Sequence, residues 1–273
     1  MSCSLPPELL DHIVDHLHDN PTTLKACCIV AKSWVPRTQS HLFADVGFDT
    51  EKNSVERWMK IFPDSSNSPA HHTHSLSISG LSVVSTETMD VGGWIRNFHN
   101  LVHLDLAHVP WEGRQAPLIP FHGLSPTLRS LRLISITHSV FDLVCSFPLL
   151  EDLALICIPP ESDGDAGRNV HRVSSPKLTG SLVLEASRPV IPRLLGLSNG
   201  LNFVKIVVSC RDEEEARSAT ELVSRCSGTL ESLTVHYRGA FPSSSIISLY
   251  LTTARWRRGP CGVFPRPIRG YET

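Results

Sequence analysis

The chain has 273 residues, of which 41% are hydrophobic and 19% are charged, and its formal net charge is -2 at pH 7. These values are those of a globular protein long enough for a sizeable core, or for one small module and an elongated domain. The nearly neutral charge excludes a general attraction to nucleic acid or to membranes, so association must be local and specific.

An apolar stripe at helical spacing lies near the start of the chain. Leu9, Ile13 and Leu17 recur at i, i+4 and i+8, which predicts an amphipathic helix. Pro6 and Pro7 precede the stripe. A proline in the first turn favours a helix start, because it loses no hydrogen bond that the helix would have made.

Two further helices are expected before residue 43. Thr22 is expected to cap a second helix after the break at Asn20-Pro21. A third, short helix is predicted from Val35 to Leu42. Three helices in about forty residues bury too little area to be robust alone. Their remaining apolar groups should therefore face a neighbouring domain or a partner chain.

The residues of this segment also match a known motif. The matching positions are Leu5-Pro6, Glu8, Leu9, Ile13, Leu17, Leu24, Cys27, Val30, Trp34 and Leu42-Phe43. They resemble an F-box, the segment by which substrate receptors join cullin-RING (SCF-type) ubiquitin ligases. The resemblance implies that a three-helix module over residues 4–43 docks a Skp-type adaptor and, through it, a cullin. The residues it assigns to adaptor binding are Leu5, Pro6, Leu9, Ile13, Leu17 and Trp34. The alternative is a small helical cap whose apolar side chains only fill a core.

Residues 44–75 are predicted to be a linker that contains one amphipathic helix. Val55, Trp58, Met59 and Phe62 lie at helical spacing, with Asn53 as a candidate cap.

From residue 76 the sequence repeats an apolar pattern. Its clearest copies are Leu101-x-x-Leu104-x-Leu106, Leu128-x-x-Leu131-x-Leu133 and Leu150-x-x-Leu153-x-Leu155. Anchors at residues 76, 104, 131, 153, 182, 204 and 233 are 22 to 29 residues apart, which is the period of leucine-rich repeats. One such repeat cannot bury its leucines alone, so the repeats should stack. The predicted fold is therefore α/β, with the three-helix module followed by an irregular solenoid of short parallel strands and helical or irregular return segments over residues 76–236.

Candidate return helices are Met89 to Phe98, His138 to Phe147 and Glu213 to Cys226, the last with Asp212 and three glutamates at its N-terminus. Degenerate repeats after an F-box-like start resemble the large fungal families of F-box proteins. The tail over residues 237–273 has no apolar period, and its last part, residues 251–273, contains five arginines between glycines and prolines. A disordered tail is expected there rather than a nucleic-acid tail. The last repeat shows no polar cap, so a truncated or differently spliced end is also expected.

Strand alternation predicts which residues of the repeats could hold a target. If the leucines point inward, their neighbours point outward. The candidate target-binding residues are His103, Asp105, Arg132, Asp152, Lys205 and His236. They mix both charge signs, which suits a polar protein segment better than a lipid or a nucleic acid. The alternative is that they are only solvated strand positions, in which case the target site would lie in a loop such as Pro159 to Gly167.

No catalytic or metal motif has the context that its chemistry needs. His71, His72 and His74 lack i, i+4 spacing and a nearby cysteine or carboxylate, which favours a solvated loop over a metal site. Gly196-Leu197-Ser198-Asn199-Gly200 matches G-x-S-x-G, but a strand follows it where the nucleophile elbow needs a helix. The sequence therefore predicts a binding protein with no enzymatic activity and no cofactor: either a ligase substrate receptor or a repeat-protein scaffold with no link to ubiquitin.

The expected compartment is cytoplasmic or nuclear. The eight cysteines form no C-x-x-C pair, and most have apolar neighbours, which indicates reduced thiols. The first residues do not resemble a signal peptide, and no run approaches the roughly 20 apolar residues that a membrane helix needs.

Overall fold

The computed structural model describes residues 6–49, 54–63, 68–80, 95–108, 121, 124, 126–136, 140–159, 176–197 and 200–237. The strands of these ranges form one open, eight-stranded sheet in chain order, β1 to β8. Every neighbouring pair is parallel. The predicted α/β class is confirmed, and a parallel sheet in chain order is consistent with a solenoid.

The described elements have the following bounds. The helices are α1 (Pro7–Asp15), α2 (Pro21–Val30), α3 (Val35–Leu42), α4 (Ser54–Ile61), α5 (Val140–Cys145), α6 (Ile191–Leu195) and α7 (Glu213–Cys226). Short 3-10 helices span Lys32–Trp34, Pro69–His72 and Arg188–Val190. The strands are β1 (Asp45–Asp49), β2 (Ser75–Ser79), β3 (His103–Ala107), β4 (Ser130–Ile134), β5 (Asp152–Ile156), β6 (Ser181–Glu185), β7 (Lys205–Cys210) and β8 (Ser232–Tyr237).

The core consists of two ladders of apolar side chains that cross the sheet in register. The first ladder is Val46, Leu76, Leu104, Leu131, Leu153, Leu182, Ile206 and Leu233, and the second is Phe48, Ile78, Leu106, Leu133, Leu155, Leu184, Val208 and Val235. From β2 to β7 these side chains are buried. Because each repeat supplies two apolar residues at the same strand positions, neighbouring repeats bury each other's side chains.

A repeated hydrogen-bond pattern fixes the start of each strand. The carbonyl of the residue before a strand accepts two backbone N–H groups from the next repeat. Ala44 O, for example, accepts from His74 N at 2.9 Å and from Ser75 N at 3.0 Å. The carbonyls of His74, Val102, Arg129, Gly180 and Val204 accept in the same way. This regularity keeps the strands in register although the repeats differ in length.

A second repeated feature ends the strands. The residue after each of five strands has a left-handed backbone: Gly80 (φ 68), His108 (φ 50), Ser135 (φ 53), Cys157 (φ 53) and Ala186 (φ 49). The N–H groups of the first four donate to the carbonyl of the last residue of the next strand, over 2.7 to 3.0 Å. Only one of the five is glycine, although this region is unfavourable for residues with a Cβ atom.

The region predicted to be a linker supplies the first strand and an aromatic cluster. β1 pairs with β2 over residues 45–49. On α4, the ring of Trp58 lies 5.8 Å from Phe43, 5.4 Å from Phe48 and 6.0 Å from Phe98. Phe43 closes the segment that resembles an F-box, so this cluster connects the three helices to the sheet.

The structure bears out several of the predicted helices. α3 has the predicted bounds, and α5 and α7 lie where return helices were predicted. Asp212 Oδ1 accepts the N–H of Glu215 at 2.7 Å, so it caps α7.

Three details of the sequence interpretation were wrong. Thr22 does not cap α2, because Asn20 Oδ1 accepts Thr23 N at 3.0 Å and Pro21 fills the first turn. Val204 is 37% exposed and precedes β7, so Ile206 is the buried residue of that repeat. His71 and His72 belong to a 3-10 helix rather than to a solvated loop, and burial lowers the pKa of His72, with His71 and His74 adding to the effect.

Several predictions concern residues outside the described ranges. They are the Asn53 cap, most of the loop from 159 to 167, the segment 89–94 of a return helix, Ser198 of the G-x-S-x-G match, and the tail from 238 onward. They stay predictions.

Candidate functional site

The three helices leave a set of apolar side chains uncovered, which we call the helical face: Leu9, Ile13, Ile29 and Val30. Leu9 and Ile13 are 50% and 43% exposed, whereas Val14 beside them is buried. The wide apolar stripe of α1 therefore divides into an inner side that packs and an outer side that does not. Large apolar side chains at helical spacing are normally the buried ones, so their exposure indicates a binding surface.

The other residues predicted to bind an adaptor differ in accessibility. Pro6 is exposed at the start of α1, and Leu17 is half-buried in the turn after it. Trp34 is also half-buried, and its carbonyl accepts a hydrogen bond from the Thr38 hydroxyl. Leu5 lies outside the described residues. Of the six predicted residues, Pro6, Leu9 and Ile13 are thus the most accessible.

The two most exposed residues of the helical face were not predicted to bind. Ile29 and Val30, at the end of α2, are 86% and 68% exposed. Val30 belongs to the F-box resemblance, whereas Ile29 gave no sequence signal, because an apolar residue after Cys27 and Cys28 is equally consistent with a buried helix.

Asp15 ties α1 to α3. Its carboxylate accepts hydrogen bonds from Arg37 Nε and Nη2, both at 2.6 Å, and from His41 Nε2 at 2.7 Å. The hydrogen bond from Arg37, with that from His41, holds the pKa of the Asp15 carboxyl well below its usual range. A bidentate arginine adds geometric specificity, so this contact fixes the orientation of the helix that carries Leu9 and Ile13.

The second surface is the strand face, which consists of the first, third and fifth residues of the strands. All the residues predicted to hold a target lie on it: His103, Asp105, Arg132, Asp152, Lys205 and His236. His103, Arg132 and Lys205 are exposed, and the other three are half-buried. The sheet register places Asp105 beside Arg132, and Lys205 beside Ser181 and Ser232.

Asp105 and Arg132 form a loose pair. Arg132 Nη1 lies 3.8 Å from Asp105 Oδ2. Burial raises the pKa of the Asp105 carboxyl, and Arg132 lowers it by a smaller amount. Asp105 Oδ1 is buried and accepts no hydrogen bond within the described part of the chain. This carboxylate is therefore partly removed from water without full compensation.

Asp152 has a structural contact that the sequence did not reveal. Its Oδ1 accepts Ser181 N at 2.6 Å and the Ser181 hydroxyl at 2.7 Å. Glu151 O consequently accepts only Gly180 N, at 3.0 Å, from the next repeat. A Cβ atom on Gly180 would lie 2.4 Å from Asp152 Oδ1. At the start of β6, the carboxylate of Asp152 thus accepts the Ser181 N–H in place of the Glu151 carbonyl. Asp152 is therefore less available to a target than the sequence predicts.

An apolar area in the middle of the strand face was also missed. The apolar strip consists of Ile134, Ala154, Ile156, Val183 and Val207, all half-buried. Ile134 pairs with Ile156, Ala154 with Val183, and Val183 with Val207. The outward positions of β1 and β2 are polar or glycine, whereas each strand from β4 to β7 has at least one apolar outward residue among polar ones. The alternation pattern contains the signal for this strip, because all five residues occupy outward strand positions.

The described residues offer no clear reaction centre. A cleft of about 170 Å³ lies between α5 and α6, where the Arg193 guanidinium is 5.7 Å from the centre of the Phe141 ring and the other lining residues are aliphatic or proline. Burial raises the pKa of the Cys145, Cys210 and Cys226 thiols, which disfavours the reactive thiolate. Within the described ranges, no three His, Cys, Asp or Glu side chains come together as metal ligands.

The longest described helix, α7, has 14 residues, and no described helix has the length and apolar character that a membrane span requires. Neither a scan against protein-family models nor a search of curated proteins found a match for this chain.

Proposed function

We propose that the protein is a substrate receptor of a cullin-RING (SCF-type) ubiquitin ligase. The helical face docks a Skp-type adaptor, and the strand face holds a protein target. The protein itself is not catalytic and needs no cofactor, and it acts in the cytoplasm or the nucleus. The observation that carries the proposal is the exposure of Leu9 and Ile13 at positions where the F-box resemblance expects adaptor contacts.

Two features of the structure support this assignment. If the three helices were only a core-filling cap, the outer side of α1 would be covered, yet Leu9 and Ile13 are 50% and 43% exposed. In addition, the Asp15 contacts and the aromatic cluster around Trp58 fix α1 relative to the sheet. An adaptor bound to α1 would thus be held at a defined position relative to the strand face.

Co-purification with a Skp-type adaptor tests the proposal. The full chain should retain the adaptor, and Leu9→Ala combined with Ile13→Ala should lose it. Central interface anchors typically cost more than about 2 kcal/mol each on truncation, which is roughly thirtyfold in affinity. Ile61→Ala is the matched control, because Ile61 is an aliphatic residue on α4 that is 58% exposed and lies outside the helical face.

The second candidate function is a repeat-protein scaffold with no ubiquitin connection. The strand face alone favours it, because that surface exists whether or not the helices bind an adaptor. Absence of adaptor binding by the wild type, or full binding by the folded Leu9→Ala, Ile13→Ala variant, would favour the scaffold.

A further inference from the structure

We propose that the strand face recognises an extended protein segment that carries a lysine or arginine about four residues from a pair of apolar side chains, counted along an extended chain. The cation pairs with Asp105, and the apolar side chains pack on the apolar strip. This inference deepens the target-binding half of the proposed function and rests on it, but it does not require the adaptor.

The charge of the strand face favours a basic partner. Five acidic residues lie on it, namely Asp45, Asp49, Asp105, Asp152 and Glu185, against the two basic residues Arg132 and Lys205. The surface is thus more acidic than the chain, whose net charge is -2. Complementary charge increases association rates and disfavours acidic competitors.

Asp105 is the position best suited to bind the cation. Its Oδ1 has no hydrogen-bond donor within the described residues, and its contact with Arg132 is long, at 3.8 Å. Arg132 is itself exposed and can therefore turn away without leaving a buried charge. Although Oδ1 is buried, the Asp105 side chain is 33% exposed, so an ammonium or guanidinium group of a partner would pair with Oδ2 in place of Arg132. A charge-assisted hydrogen bond of this kind is among the stronger ones.

The apolar strip explains why the partner also needs apolar side chains. Each strand from β4 to β7 has a neighbour on both sides, so its backbone groups are already paired, and a partner can bind there only through side chains. Half-buried aliphatic residues in a polar surround are the arrangement of an interface core with its rim.

The sheet register sets the spacing of the recognised segment. Asp105, Arg132, Ala154 and Val183 are aligned on four consecutive strands. Strands lie about 4.8 Å apart, so Asp105 and Val183 are separated by about 14 Å, and an extended chain that rises about 3.3 Å per residue covers this distance in about four residues.

Selection from a phage-displayed library of random 12-residue peptides on the immobilised full chain tests the inference. Enriched peptides should contain a lysine or arginine about four residues from two apolar residues. Synthetic copies should bind Asp105→Asn, and separately Val183→Thr with Val207→Thr, at least about fivefold more weakly than wild type. Threonine keeps the β-branched shape that suits a strand.

Matched controls remove the same groups elsewhere. Glu221→Gln removes an exposed carboxylate on α7, and Ile61→Thr with Leu149→Thr removes two exposed aliphatic residues that lie outside both the helical face and the strand face. Both controls should bind the peptides as the wild type does.

No enrichment, enrichment of acidic peptides, or equal binding by the strand-face variants would overturn the inference. Adaptor co-purification of the same variants separates the two proposals. If the peptides behave as expected while the wild type fails to bind the adaptor, the ligase proposal fails and the recognition chemistry stands. If the adaptor binds but the peptides do not behave as expected, only the recognition chemistry fails.

Discussion

Replacing Cys157 with glycine should stabilise the protein, although the substitution removes a side chain. Cys157 follows β5 with φ 53, and its side chain is exposed. A left-handed backbone costs a residue with a Cβ atom about 1 to 2 kcal/mol. Glycine removes that cost but adds about 0.5 to 1 kcal/mol of unfolded-state entropy. The exposed thiol loses little burial, so the net gain should be about 0.5 to 1 kcal/mol.

For a domain of this size, 1 kcal/mol shifts the melting temperature by about 2 to 4 °C. Calorimetry should therefore detect an increase of about 1 to 4 °C for Cys157→Gly. Gly80→Ala should show the opposite effect, because Gly80 has φ 68 at the equivalent position after β2.

Gly47→Ala is the matched control for the alanine substitution. Gly47 lies within β1, its φ is not in the left-handed region, and a Cβ atom there would meet nothing within 4 Å. This change should leave stability equal or slightly higher. If Cys157→Gly lowers the melting temperature, or if Gly80→Ala matches Gly47→Ala, the left-handed residues after the strands are not a strained feature of the fold.

Leu131→Ala should lower the free energy of unfolding, measured by urea titration, by about 2 to 5 kcal/mol, because Leu131 is only 1% exposed. Leu149→Ala is the control and should have little effect, because Leu149 is 48% exposed. Asp15→Asn should destabilise the helices at pH 7. Because folding lowers the pKa of the Asp15 carboxyl, the stabilisation by this carboxylate is complete above pH 3.8, the ordinary pKa, and is lost as the pH falls below that value. Urea titrations should therefore show the stabilities of the two proteins converging in acid. Gly180→Ala should lower the melting temperature by displacing the Asp152 carboxylate, and the two effects should not add in a double-mutant cycle with Asp152→Ala; additive effects would show that the two residues are not coupled.

Strands could be predicted wherever the sequence repeats its apolar spacing. Strand β1 was missed, because its pairing with β2 outweighs the low strand propensity of its residues. Leu104 and Leu106, like their equivalents on β4 and β5, identified strands because both ladder positions are leucine. β1 was missed because Asp45, Gly47 and Asp49 are poor strand formers. It forms because Phe48 packs against Trp58 and because β2 offers an edge.

The register of β7 shows a different limit. Leu201, Val204 and Ile206 matched the repeat pattern, but the buried residues at the equivalent positions are Phe203, Ile206 and Val208. Val204 instead offers its carbonyl to Glu231 N and Ser232 N. Spacing alone cannot distinguish these registers, because both place apolar residues near the same anchor.

The candidate surfaces were predictable in position more than in detail. Strand alternation put His103, Arg132 and Lys205 on one face, and the structure agrees. Alternation could not show that Asp152 is held by Ser181, since that contact joins residues 29 positions apart in sequence. Likewise, helical spacing identified the stripe of α1 but not which side of it is uncovered, because that depends on how α1 packs against its neighbours.

Hydrogen exchange of the full chain with and without a purified Skp-type adaptor tests the central proposal most directly. Binding through the helical face predicts slower exchange within residues 7–15 and 21–30, the ranges of α1 and α2, and unchanged exchange in β3–β7. The Leu9→Ala, Ile13→Ala variant should show no protection at the same adaptor concentration. Protection confined to the sheet, or none at an adaptor concentration well above that which saturates other receptors, would contradict adaptor docking by the helices.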